Sequence, residues 1–122
     1  MTKILIVDDD VAITVLLDKI LTVSGFQIVV VNDSAEALEK ARETNPDIFI
    51  LDLMMPQPNG FEVCRMLRAE EGFVNTPILI ITASDDYDSK AIAYAAGAND
   101  YITKPFDHDE LPVRIKALLN KE

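Results

Sequence analysis

Two spacings of apolar residues take turns along this chain. Short runs rich in β-formers fall at 4–7, 27–31, 48–51 and 78–82, with a weaker run at 99–102. Between them the period lengthens to that of a helix. Ile13, Leu16, Leu17, Ile20 and Leu21 sit at i, i+3, i+4, i+7 and i+8, the spacing of one buried helical face, and Leu111, Ile115 and Leu118 repeat it near the end. Glycines at 25, 72 and 97 follow the first, third and fourth helical segments, which predicts left-handed C-terminal caps there. Asn45-Pro46 closes the second segment. Asp33 with Glu36 predicts a capping box at its start, and Asp107 with Glu110 could do the same for the fifth. Pro112 conflicts with a cap that early, because an interior proline costs up to roughly 3 kcal/mol. The fifth helix is therefore expected to begin closer to Pro112, after a looser turn.

Five strands alternating with five helices imply a parallel sheet with both faces covered, which suits nearly continuous apolar strands. Right-handed crossovers then predict a doubly wound α/β fold with strand order 2-1-3-4-5, the flavodoxin-like arrangement. With 122 residues and no linker, repeat or low-complexity stretch, a single domain over 1–122 is expected.

Composition narrows the setting. At 49% hydrophobic the chain can fill one core, yet its longest apolar runs are only strand-sized. Met1, Thr2 and Lys3 lead into one such run and then three aspartates, without the pattern of a signal peptide, so a cytoplasmic location is expected. Cys64 shares a helical pattern with Phe61 and Leu67 and reads as a small buried hydrophobe. A formal net charge of −10 and no basic run argue against direct binding of nucleic acid.

The chemistry gathers at strand ends. In an open parallel sheet, ligands bind beyond the carboxyl ends of the strands, beside the point where strand order reverses. Strand one runs into Asp8-Asp9-Asp10, strand three into Asp52, strand four into Thr82-Ala83, and strand five is followed by Lys104-Pro105. Asp10 is placed to cap the first helix. Asp8, Asp9 and Asp52 would repel one another unless a cation joined them, and a hard divalent ion such as Mg²⁺ suits such oxygen ligands. Lys104 can neutralise a phosphoryl oxygen, and Thr82 brings a hydroxyl. A cis bond before Pro105 would direct the lysine inward.

Together these blocks resemble the receiver domain of two-component response regulators. The signature spans the whole chain: Val7-Asp8-Asp9, then 51–56 with Gly60 beyond, then Ile81-Thr82-Ala83, then 100–106. The resemblance implies that Asp52 takes a phosphoryl group from a phosphohistidine on a sensor kinase or phosphotransfer protein. It implies Mg²⁺, or Mn²⁺ in its place, held by Asp9, Asp52 and the Met54 carbonyl, with Asp8 acting largely through water. Lys104, the Thr82 hydroxyl and the Ala83 N–H would contact the phosphoryl oxygens. Thr82 and Tyr101 would form the switch that reshapes the surface of the fourth helix, fifth strand and fifth helix. Met54 and Ser84 occupy the two positions that tune phosphoryl lifetime in the family, and a moderately long-lived group is expected. The chain would thus be a phospho-accepting switch rather than a conventional enzyme, catalysing only its own phosphoryl transfer and slow autodephosphorylation.

Two rivals fit less well. Aspartyl phosphatases of the haloacid dehalogenase class also carry aspartates after strand one. Here Ala12 breaks their motif, Asp85-Asp86 precedes Lys104, and no room remains for a cap domain. A pseudo-receiver, a phosphorylation-independent interaction module, typically lacks some of the acidic or lysine residues retained here. His108, the single histidine, opens the last helical segment and is expected to be solvated. Output passes either to a protein partner or to an output domain outside these residues, from a monomer or a phosphorylation-dependent dimer.

Overall fold

The computed structural model describes residues 1–120. Strands β1 (Lys3–Val7), β2 (Gln27–Val31), β3 (Ile48–Leu51), β4 (Ile78–Thr82) and β5 (Asp100–Thr103) alternate with helices α1 (Val11–Val23), α2 (Ala37–Thr44), α3 (Gly60–Ala69), α4 (Tyr87–Ala96) and α5 (Glu110–Leu119). All strand pairs are parallel and the order is β2-β1-β3-β4-β5, the expected doubly wound topology.

Side-chain alternation divides the interior in two. Leu5, Val7, Phe49, Leu51, Ile78 and Ile80 meet helices α2, α3 and α4. Ile4, Ile6, Ile48, Ile50, Leu79 and Ile81 meet α1 and α5 through Leu17, Leu21, Leu111 and Ile115. The central strands are buried on both sides because each face needs a cover, and every fully buried Leu or Ile contributes about 1.5–3 kcal/mol. Cys64 is buried as expected, its thiol donating to the Ala96 carbonyl at 3.4 Å.

Helix ends partly follow the expectation. Asp10 caps α1, accepting from the Ala12 and Ile13 N–H groups at 3.0 and 3.3 Å. Gly25 and Gly97 adopt positive φ, and Asn45 (φ 49°) closes α2 in the same left-handed region. Gly72 does not. It lies inside a 3-10 turn, Glu71–Phe73, because α3 has already ended with Glu70 in extended conformation. Asp33 accepts from Ala35 N–H and opens a 3-10 turn, Ser34–Glu36, so α2 proper starts one turn late and no reciprocal Glu36 bond forms. The complete capping box sits instead on α3, where Asn59 and Glu62 exchange side-chain and backbone bonds. Asp107 likewise forms a local turn, accepting from Asp109 N–H at 2.9 Å, and α5 begins only at Glu110. Pro112 therefore occupies the first helical turn, where its missing N–H has no partner to lose.

At the opposite end of the sheet from the strand carboxyl termini, Arg68 gathers several segments. Its guanidinium donates to the carbonyls of Gly97, Phe73 and Thr76 and to the Asn99 side chain, at 2.7 to 3.1 Å. Among the described residues no helix is long and apolar enough to cross a membrane.

Candidate functional site

Register sets the site. Val7 pairs with Leu51, Leu51 with Ile80, and Thr82 with Thr103, so the strands finish side by side. Single backbone bonds carry the ladder past their ends: Asp52 N–H to Val7 O at 3.1 Å and Lys104 N–H to Thr82 O at 2.7 Å. The residues that follow each strand are thereby delivered to one rim.

There the Lys104 ammonium lies 3.1 Å from Asp8 Oδ2 and 3.4 Å from Asp52 Oδ2, shared between two carboxylates that are 3% and 6% exposed. Asp9 stands beside them on the solvent side. Oxygens of Asp8, Asp9 and Asp52 come within 4.8 Å of one another. Three carboxylates this close, one open to water, form a hard oxygen donor set suited to a divalent cation that keeps some of its waters. Burial pushes the Asp8 carboxyl up, and the Asp52 charge adds to that push, against the Asp10 N–H bond and Lys104. Burial pulls the Lys104 ammonium down, but its hydrogen bond to Asp8 and the charges of both carboxylates outweigh this and leave it raised.

The loop after Asp52 is held tightly. Met54 N–H donates to Asp52 Oδ1 at 3.2 Å, orienting the carboxylate whose other oxygen faces Lys104. Gly60 N–H reaches the Leu53 carbonyl at 3.2 Å. A Cβ on Gly60 would collide with the Asp52 carbonyl oxygen and come within 2.6 Å of Leu53 Cα, so only glycine lets α3 begin this close to Asp52. The Lys104-Pro105 bond is cis as expected, and so is Gln57-Pro58, which no local feature of the sequence announced.

Thr82 is fully buried, and its Oγ1 is the one buried side-chain oxygen or nitrogen among the described residues without a hydrogen-bond partner. Ala83, next in sequence, is exposed. Tyr101 is buried, with its hydroxyl donating to the Ser84 carbonyl at 2.6 Å and Lys90 Nζ 5.7 Å from its ring centre. Met54 projects its side chain outward at 65% exposure. Ser84 turns its hydroxyl toward the start of α4, where its Oγ lies 3.1 Å from both Asp86 Oδ2 and the Ser89 hydroxyl. His108 is exposed and tilts against Phe106 outside the acidic group.

Comparison with known proteins agrees with this arrangement. Residues 4–116 match the family model described as the response regulator receiver domain. Over 119 residues, 98% of this chain, it is 42% identical to the alkaline phosphatase synthesis transcriptional regulatory protein PhoP of Bacillus subtilis, covering 49% of that protein. It is also 42% identical to the DNA-binding response regulator MtrA of Mycobacterium tuberculosis, covering 51% of it. The chain spans about half the length of these curated relatives. Among solved structures, a response regulator from Chloroflexus aurantiacus superposes with TM-score 0.94 at 34% identity, over 98% of both chains. The receiver domain of the sensor histidine kinase PA1611 of Pseudomonas aeruginosa, solved with a magnesium ion in its active-site cleft, gives 0.91 at 27% identity over 98% of both chains.

Proposed function

The chain belongs to the response regulator receiver family, and on that footing we propose that it is a switch charged by phosphorylation of Asp52. One observation carries this most directly: a nearly buried carboxylate at the end of β3 shares the Lys104 ammonium with Asp8. Such a group has no structural duty that a smaller apolar residue would not serve better.

Mg²⁺ fits the donor set of Asp8, Asp9 and Asp52, with the Met54 carbonyl assigned as a further ligand and Mn²⁺ as a substitute; bound there it neutralises phosphoryl oxygens. The remaining chemistry belongs to the chain. Asp52 attacks the phosphorus of a phosphohistidine on a sensor kinase or phosphotransfer protein. The oxygen–phosphorus bond forms as the phosphorus–nitrogen bond breaks, and the electron pair leaves with the imidazole nitrogen. Positioning and charge stabilisation suffice for such a transfer. Lys104 balances the incoming charge. Thr82 Oγ1, which has no partner among the described residues, can donate to a phosphoryl oxygen, and exposed Ala83 leaves room for the group and offers its N–H. Water later attacks the acyl phosphate, restoring the Asp52 carboxylate and releasing inorganic phosphate.

Phosphorylation adds about −1.5 to −2 charge at Asp52. Drawing Thr82 toward that charge favours the inward Tyr101, and the change is read on the surface formed by α4, β5 and α5 by a protein partner or an output domain. Met54 at the rim shields the acyl phosphate from water with an apolar side chain, while Ser84 leaves the approach open. Together they fit a moderately long-lived phosphoryl group, and loss of the phosphate within seconds at neutral pH would count against it. A cytoplasmic setting accompanies a kinase that spends nucleotide.

Incubation with acetyl phosphate and Mg²⁺, followed by intact-mass measurement, tests the assignment. One phosphoryl group is expected on the wild type, and none on Asp52→Asn or in the presence of chelator. Unchanged labelling of Asp52→Asn would remove the acceptor role.

A further inference from the structure

The acidic group owes its shape to the β1–α1 turn, and that turn is gripped by a residue outside the receiver signature. Backbone bonds between β1 and β2 alternate along the ladder, from Gln27 N–H to Thr2 O at 2.8 Å to Asp8 N–H to Val31 O at 3.1 Å. The next acceptor in this series is the carbonyl of Asp8. No backbone N–H of β2 reaches it, because the chain turns away at Asp33 into the 3-10 turn. The Asn32 side chain takes over. Its Nδ2 donates to Asp8 O at 2.9 Å and to Thr14 Oγ1 at 3.1 Å.

These two bonds fix both ends of the turn. Asp8 O belongs to the peptide group joining Asp8 to Asp9, so holding it sets the plane from which the Asp9 side chain leaves. Thr14 is buried in the second turn of α1, and its hydroxyl in turn donates to Val11 O at 2.9 Å. The brace itself is anchored. Ser34, two residues on, donates to Pro56 O at 3.2 Å and ties the same loop to the acceptor loop beyond Asp52. Without Asn32, the carbonyl between Asp8 and Asp9 would lose its side-chain donor in a turn where Asp8, Asp9 and Asp52 repel one another and Lys104 offsets only part of their charge.

We propose that Asn32 is a positioning residue for the divalent-cation site, holding the Asp8–Asp9 peptide so that both carboxylates converge with Asp52. The inference rests on the metal-dependent reading above and deepens it. Asn32 touches neither the cation nor the phosphoryl group; it acts through the backbone of their ligands. Removing residues that orient metal ligands typically weakens affinity about 10- to 100-fold. Because Asn32 acts one covalent step further back, a loss of about tenfold is expected.

The test is Mg²⁺ titration by isothermal calorimetry on wild type, Asn32→Ala and Leu118→Ala, with urea unfolding of each without metal. Leu118 is buried at the end of α5, on the far rim beside Arg68. Its truncation is expected to lose stability while Mg²⁺ binds as in the wild type. Asn32→Ala is expected to bind Mg²⁺ about tenfold more weakly. Wild-type affinity in Asn32→Ala, whatever its stability, would reduce the residue to a fold-stabilising contact and overturn the proposal. Equal weakening in Leu118→Ala would also overturn it, by showing that affinity follows general loosening. Should Asn32→Ala not fold, Asn32→Ser, whose hydroxyl stops one bond short of the amide nitrogen, takes its place with the same expectations. A wild type that does not bind Mg²⁺ refutes the metal-dependent reading itself, which separates the two failures.

Discussion

Asp8 ionises against the preference of its surroundings. Its carboxyl is raised chiefly by burial, so its contribution to stability is fully present below the unfolded carboxylate range, near pH 4, and is lost as pH rises through the higher folded value. At neutral pH and without metal, the charged side chain therefore works against the fold. Asp8→Asn keeps an oxygen for Asp10 N–H and removes the charge. Its melting temperature in metal-free buffer at pH 7 is expected to exceed that of the wild type, by about 4 °C for each kcal/mol relieved in a domain this size. Differential scanning calorimetry across pH 4 to 8 checks this, and the gap should narrow toward the acid end. A constant gap would assign the effect to packing.

At the level of elements, the start of α3 is the tightest constraint near the acceptor. Gly60→Ala would drive a methyl group into the backbone of Asp52 and Leu53, neither of which can swing aside as a side chain can. The helix must back away, at about 1–3 kcal/mol by comparison with other overpacked sites. Urea unfolding should register that loss, and acetyl phosphate labelling should slow because the acceptor moves with its loop. The elements were legible in the sequence where local spacing decides them. Ile48 to Leu51 can only be a strand buried on both faces, and the reactive residues of the site each adjoin such a run. What escaped was settled by where chains met. Gly72 resembles a cap until Glu70 is seen to leave the helix early. Asn59 and Glu62 form the complete box, while Asp33 and Asp107 were drawn into short turns. Asn32 acts across 24 residues and Arg68 across 29, distances over which spacing carries no signal.

Across the whole molecule, stability and the site are linked by mass action. A cation that binds only the folded chain stabilises it by about 2.7 kcal/mol at a hundredfold excess over its dissociation constant, or about 10 °C by the same conversion. Thermal scans with Mg²⁺ are expected to show that shift in the wild type, chelator should reverse it, and Asp8→Asn should lose most of it. The sheet lets this occur at one rim while both apolar layers stay intact, since no site residue except Tyr101 belongs to either layer. Arg68 adds an asymmetry. It grips Gly97 at the end of α4 from α3, whereas the start of that helix is held locally, by Asp86 accepting from Ser89 N–H at 2.6 Å and by the Tyr101 hydroxyl on Ser84 O. A displacement arising at Ser84 would then turn α4 about its Gly97 end, and its size would grow along the helix toward Tyr87.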